Sequence, residues 1–370
     1  MAAPSATPAP APAAAPAAGP KFTWGGLVDT YYMYSFLKAD GANSLVPPGG
    51  SAPINGRAFD TNSNSLTLAY AKLSVNAAMD PVSFQLDMGY GSTGTIINAA
   101  NTGYPAIPVT AATAVVPTNA VPGSFIVQQA FGTISLPGGL SLDFGKFVTT
   151  AGAEVIEANK NWLYSRSLLF NAIPLLHTGA RANFKVSDKL TLQASVVNGW
   201  NNDPDNNLWK TIGVNASIVA TPMVTIIPTV YFGKEGNQAA ATTGGTTGDM
   251  RFLGDLVVAL TLNEKVGVNI NFDYIGANDN VSDDHQLGVA AMGRFVASDM
   301  LNVAARGEWF QTHVPGSSLN QYEVTAMAGI DVGKNFELRP ELRLDLASQP
   351  LFNDGKKQEF TGTLAALTWF

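Results

Sequence analysis

The amino-acid sequence predicts an all-β chain: a closed, antiparallel, up-and-down transmembrane barrel of about sixteen strands. Three observations predict it. Apolar and polar residues alternate one by one over many short segments. Charge is scarce, although no apolar run is long enough for a membrane-spanning helix. Tight links and long links take turns along the chain.

The alternation is clearest in FELRPELRLDL, residues 336–346. Phe336, Leu338, Pro340, Leu342, Leu344 and Leu346 occupy the even positions, and Glu337, Arg339, Glu341, Arg343 and Asp345 the odd ones. Successive side chains leave a strand on opposite faces, so one face is oily and the other carries both signs of charge. VSFQLDMGY (82–90), ARANFKV (180–186), VGVNINFDY (266–274), LNVAARGEW (301–309) and YEVTAMAGI (322–330) repeat the pattern. About sixteen such segments of ten or so residues occur, enough to cross a bilayer when tilted.

Hydrophobic residues make up 46% of the 370-residue chain and charged residues only 13%. The usual charged share is about a quarter. A net charge of −7 argues against a nucleic-acid partner. The absence of cysteine excludes a disulfide framework and thiolate metal sites. Residues 1–20, rich in Ala and Pro, read as a disordered tether, and residues 21–370 as the barrel. The opening residues lack a basic region followed by an apolar stretch, so they are no signal peptide as written; an export signal is expected to have been removed.

The tight links carry turn chemistry: Asp80-Pro81, Pro137-Gly138-Gly139, Ser187-Asp188-Lys189, Ala220-Thr221-Pro222, Asn263-Glu264-Lys265, Ser298-Asp299 and Gly333-Lys334-Asn335. Mostly longer links fall near 38–65, 96–124, 150–176, 200–208, 233–249, 277–284, 313–319 and 347–358. In a meander, alternate links lie at opposite ends of the sheet. One end is therefore trimmed and the other elaborated, as in outer-membrane barrels.

A soluble sandwich or lipocalin-like barrel also alternates, but it packs its apolar face inside. A closed sheet of about sixteen strands leaves an interior too wide for apolar side chains to fill. The polar face, with water, fills it better, and the apolar face looks outward to lipid. Closure removes the unpaired edges that lipid would penalise. Aromatic residues at strand ends agree: Phe22, Trp24, Phe84, Phe184, Phe295 and Phe336 at one end, and Tyr32, Tyr34, Phe36, Tyr90, Phe232, Tyr274, Trp309 and Tyr322 at the other. Lys72 and Lys146 fall on the apolar parity of their strands, and in LTLAYAKLSV (66–75) a bulge near Lys72 would exchange the faces. The final alternating strand ends on Phe370, which resembles the signal by which outer-membrane barrels are recognised for assembly.

Within 145–184 stand Gly145-Lys146-Phe147, Gly152-Ala153-Glu154, Tyr164-Ser165-Arg166-Ser167 and His177-Thr178-Gly179; Asn198-Gly199-Trp200, Asp205-Asn206-Asn207 and Lys210 follow. In these pieces the chain resembles the putative β-barrel porin-2, OmpL-like family. The barrel pattern extends over 21–370, while the specific motifs occupy the tract 145–184 and the segment 196–210. The resemblance implies a porin of the Gram-negative outer membrane that lets small hydrophilic solutes and ions diffuse passively, with outer-membrane lipid and lipopolysaccharide around it. A substrate-selective sugar or anion channel, or a plugged structural or adhesive barrel, are the alternatives. Strand number suggests a homotrimer, but nothing in the sequence marks its interface.

Inward parity assigns Asp29, Asp87, Asp143, Arg181, Arg251, Asp255, Asp273, Arg294, Arg306, Glu308, Glu323, Arg339, Glu341, Arg343 and Asp345 to the pore lining. On a wet lumen these charges escape desolvation; an Arg facing lipid at mid-membrane would cost roughly 2–4 kcal/mol. In general diffusion porins the loop after the fifth strand folds inward and narrows the pore. By analogy of position, the link 150–176 is the expected constriction loop, with Glu154, Glu157 and Lys160 on it. Glu154 and Glu157 are then expected to face an arginine wall of Arg294, Arg306, Arg339 and Arg343 and to set a transverse field.

No enzyme or cofactor is expected. His177 lies near Ser165 and Ser167 in sequence, but no catalytic arrangement follows from that. The links 201–207 and 278–284 are oxygen-rich and could hold Ca²⁺ at extracellular loops, but neither has EF-hand spacing and a solvated turn is the favoured reading.

Overall fold

A computed structural model describes residues 19–36, 57–100, 124–235, 249–278, 284–352 and 355–370. Apart from its last two residues, the expected tether lies outside the described residues, as does most of the 278–284 link.

Alternation produces the strands where it was strongest. The first half comprises β1 (Lys21–Ser35), β2 (Ser65–Met79), β3 (Val82–Gly91), β4 (Ser124–Leu136), β5 (Leu140–Val148), β6 (Leu176–Ser187), β7 (Leu190–Val197) and β8 (Thr211–Thr221). The second comprises β9 (Val224–Glu235), β10 (Asp249–Thr261), β11 (Val266–Asn278), β12 (His285–Ser298), β13 (Leu301–Val314), β14 (Ser317–Asp331), β15 (Phe336–Ala347) and β16 (Gln358–Trp369). Two short helices, α1 (Ser92–Ala100) and α2 (Leu168–Ala172), lie in links. Each strand pairs antiparallel with its chain neighbours, and β16 returns to β1 from Leu27↔Trp369 to Ser35↔Thr361, closing the barrel. Among the described residues no helix is long and apolar enough to cross a membrane.

Burial fixes which face looks where. In β15 Glu337, Arg339, Glu341, Arg343 and Asp345 are buried, whereas Leu342 is 54% exposed. Val324 and Leu364 are likewise exposed at 62% and 53%. The oily parity looks outward and the charged parity inward, as lipid outside requires. Exposed Phe22, Trp24, Phe84, Phe184 and Phe295 mark one rim, and Tyr34, Tyr90, Phe232, Tyr274 and Tyr322 the other.

The expected tight links all join an even strand to the next odd one and so share one end of the barrel, which the family of outer-membrane barrels places in the periplasm. One link on the elaborated side is shorter than expected. Instead of a loop over 313–319, β13 and β14 are joined by Pro315-Gly316, with Gly316 at φ +83°. Outward positions there carry Gln311, His313, Ser318 and Asn320 in place of apolar residues, because these strands run past the apolar band. That loss of alternation disguised strand as loop.

The parity break near Lys72 is a bulge. The β1–β2 register shifts between Asp29 and Thr30, leaving Ala69 unpaired, and Tyr70, Lys72, Ser74 and Asn76 thereafter face inward. Lys72 reaches the carboxylates of Asp87, at 2.9 Å, and Glu157. Lys146 keeps its outward parity, opposite Ala130, and pairs with Asp203 of the 198–210 link at 3.3 Å.

Candidate functional site: the barrel interior and the loop it encloses

The link between β5 and β6, residues 149–175, meets inward-facing wall residues along most of its length. Leu163 packs on Met292, Ala304 and Met327; Leu168 and Leu169 pack on Ala290 and Phe310. Ala158 is enclosed by Tyr31, Met33, Ala69, Ala365 and Leu367, and Ala151 and Ile173 by Trp200, Tyr231, Leu253 and Ile275. An apolar stretch within a loop has no other water-free surroundings available, and its burial here holds it inside. Ser167 caps α2 by accepting the Phe170 amide at 3.0 Å.

Charged wall residues complete the attachment. Arg306 donates to Glu323 (2.8 Å), to Glu154 of the loop (2.8 Å) and to the Ser165 carbonyl (2.9 Å). Glu341 accepts the Tyr164 amide at 2.7 Å, and Glu308 accepts the Leu168 and Leu169 amides at 2.7 Å each. Arg339 donates to the Ala158 carbonyl at 2.7 Å and Arg343 to the Arg166 carbonyl at 2.6 Å. The Tyr164 hydroxyl donates to Asp29 at 3.0 Å, and burial together with that carboxylate pushes the phenol well above its ordinary value. Groups that would be expensive to bury alone are thus paired with loop backbone or with each other.

These contacts correct the expected field. Glu154 touches Arg306 directly, and Glu157 turns to Lys72 and to Gln128 (2.9 Å) on another side. Arg339 and Arg343 hold loop carbonyls, and Arg294 makes no ion pair among the described residues. Arg306, Arg339 and Arg343 fasten the loop and do not stand across an opening from its acids. Lys160, the remaining expected loop residue, is exposed and makes no ion pair among the described residues.

The other expected lining residues also face inward, but most are covered. Arg251 stacks over Trp200 at 5.5 Å; Asn271 donates to Asp255 at 2.7 Å and to Asp273 at 3.0 Å; Asp345 accepts from Arg343 at 2.7 Å. Glu323 receives Arg306, and all of these are buried. Arg181, half-buried, pairs with Asp143 at 2.8 Å and lies over the Phe147 ring at 4.3 Å and the Phe131 ring at 5.6 Å.

Sequence reasoning missed two features. A second segment, 57–64, also reaches inside: Arg57 pairs with Asp345 at 3.1 Å, and Phe59 packs edge-on to Phe170. Its weakly patterned sequence gave no signal. The other is a wall of amides across β3–β8. Gln85, Gln129, Asn183, Gln193 and Asn215 are inward and half-buried, and none bonds to the 149–175 link. Their inward parity is legible in the alternation, but uncharged amides add no charge pattern to mark them.

His177 stacks on Tyr231 with centroids 4.7 Å apart and bonds the Gly199 carbonyl at 3.0 Å; Ser165 receives Arg306 and Ser167 caps α2, so the three are not assembled. In the 201–207 link, Asp203 goes to Lys146 and Asp205 to Lys210, and among the described residues no cluster of three metal-type ligands occurs.

A model of the family described as Putative beta-barrel porin-2, OmpL-like matches residues 21–370. No curated protein matches the chain by sequence. Among solved structures, the anion-selective porin from Comamonas acidovorans is similar at 9% identity and TM-score 0.62, covering 95% of this chain and 100% of that one. OmpF of Salmonella typhi, in complex with daunomycin, is similar at 12% and 0.61, covering 95% and 98%. OmpT of Vibrio cholerae in its trimer form is similar at 12% and 0.58, covering 95% and 100%. At such identities the likeness concerns the fold.

Proposed function

The chain belongs to the Putative beta-barrel porin-2, OmpL-like family, and on that premise we propose that its inward loop is a fixed constriction in a permanently open, narrow pore. The protein is an outer-membrane channel of the Gram-negative envelope through which solutes diffuse passively. The observation that carries the constriction is the one-sided attachment of the loop. Its ion pairs and hydrogen bonds go to β1, β2, Gln128 of β4 and the arc β9–β15, while the half-buried amides Gln85, Gln129, Asn183, Gln193 and Asn215 on β3, β4 and β6–β8 make no bond to it. A passage bounded by a pinned loop and a polar wall favours small hydrophilic solutes over apolar ones.

The plugged structural or adhesive barrel is the competing reading, and it draws on how much of the interior the loop fills. Liposome swelling separates them. In an open pore, entry falls steadily with solute size; a barrel that admits neither ions nor the smallest polyol would overturn the constriction reading. Enzymatic activity is not part of this proposal, since the candidate serine and histidine stand apart. Outer-membrane lipid and lipopolysaccharide are the partners that the exposed aromatic rims would meet. A homotrimer is the assembly proposed, supported by the trimer form of one similar structure, and cross-linking in detergent tests it.

A further inference from the structure

We infer that solutes pass over the amide wall of β3–β8 and that the passage favours uncharged polyhydroxylated molecules of the carbohydrate class over ions of the same size. The inference rests on the open-pore reading and deepens it.

Part of the wall is linked by hydrogen bonds, and part pairs with the next strand. Gln193 donates to Asn183 at 2.7 Å, Asn183 donates to Asp143 at 3.0 Å, and Asn215 donates to Thr229 at 2.7 Å. Each amide is half-buried, so water reaches it. Among the described residues the side-chain oxygens of Gln193 and Asn215 have no protein partner, and a solute hydroxyl could take their place in the network. Amides both donate and accept, so a sugar hydroxyl exchanges its water bonds for equivalent ones whatever its orientation. Charges on this side are paired: Arg181 with Asp143 at 2.8 Å, and Lys72 with both Asp87, at 2.9 Å, and Glu157. An ion entering here would lose hydration without meeting a free countercharge. Phe131, half-buried beneath the Arg181 guanidinium, adds an apolar face of the kind that carries the carbon side of a sugar ring.

The test has two arms on the refolded full chain. Liposomes measure swelling with a neutral hexose, its acid and its amino derivative; the hexose is expected to enter at least about fivefold faster than either ion. Planar bilayers measure reversal potential in a KCl gradient. Asn183→Lys and Gln193→Lys are expected to move it toward the chloride value, and Asn183→Asp toward potassium. Equal or faster entry of a charged sugar overturns the proposal, as do unmoved reversal potentials in folded, conducting variants. If the wild type passes nothing at all, the open-pore reading fails and this inference with it, so the two failures are distinct.

Discussion

At the scale of single residues, the interior is held by buried charges that pair with each other. Arg306 is the centre of one such group, bonded to Glu323 on the wall and Glu154 on the loop. Arg306→Ala strands two buried carboxylates, and breaking a buried pair in this way costs about 3–5 kcal/mol. The expected loss is read from denaturant unfolding in detergent; adding Glu154→Gln and Glu323→Gln should restore much of it, because the stranded charges are then gone. Tyr164 gives a pH signature. Its phenol is pushed above its ordinary value by burial and by Asp29, so its contribution is complete below an unfolded value of about 10 and is lost as pH rises through the folded one. Stability is therefore expected to fall above about pH 10, and Tyr164→Phe should flatten that limb of the unfolding profile. An unchanged limb in the variant would assign the alkaline loss elsewhere.

At the scale of elements, a bulge decides which way a whole half-strand faces. Ala69 is the extra residue in β2, and beyond it Lys72 turns inward to Asp87 and Glu157. Deleting Ala69 removes the bulge and sends Lys72 toward lipid, at roughly 2–4 kcal/mol for a mid-membrane lysine, besides breaking its pairs. Folding yield, measured by the gel shift of the unheated protein, is expected to drop sharply, and Lys72→Ala in the deletion background should recover part of it. Full folding of the deletion with Lys72 unchanged would mean that the bulge does not set the faces. The loop is governed by a different rule. It is positioned by pairs far apart in sequence: Glu154 and Arg306 are 152 residues apart, and Glu157 and Lys72 are 85 apart.

Across the whole molecule, the same distinction explains what the sequence discloses. Strand period, outward face and the order of tight and long links are local properties, and FELRPELRLDL shows all of its orientation in its own letters. The parity break at Lys72 was likewise readable, because a bulge leaves a mark in the alternation. Partner choice inside the barrel was not. Glu154 and Glu157 look alike in sequence, yet one meets Arg306 and the other Lys72, and only closure of the barrel brings either pair together. The Pro315-Gly316 turn was hidden because strands that leave the apolar band stop alternating. The central claim is that oily side chains face lipid around a wetted interior narrowed by one pinned loop. Single-channel conductance of the wild type beside a variant in which residues 150–174 are replaced by a short turn tests it most directly. Discrete steps in the wild type and steps several-fold larger in the variant are the expected result; no steps in either, or the same steps in both, would contradict it.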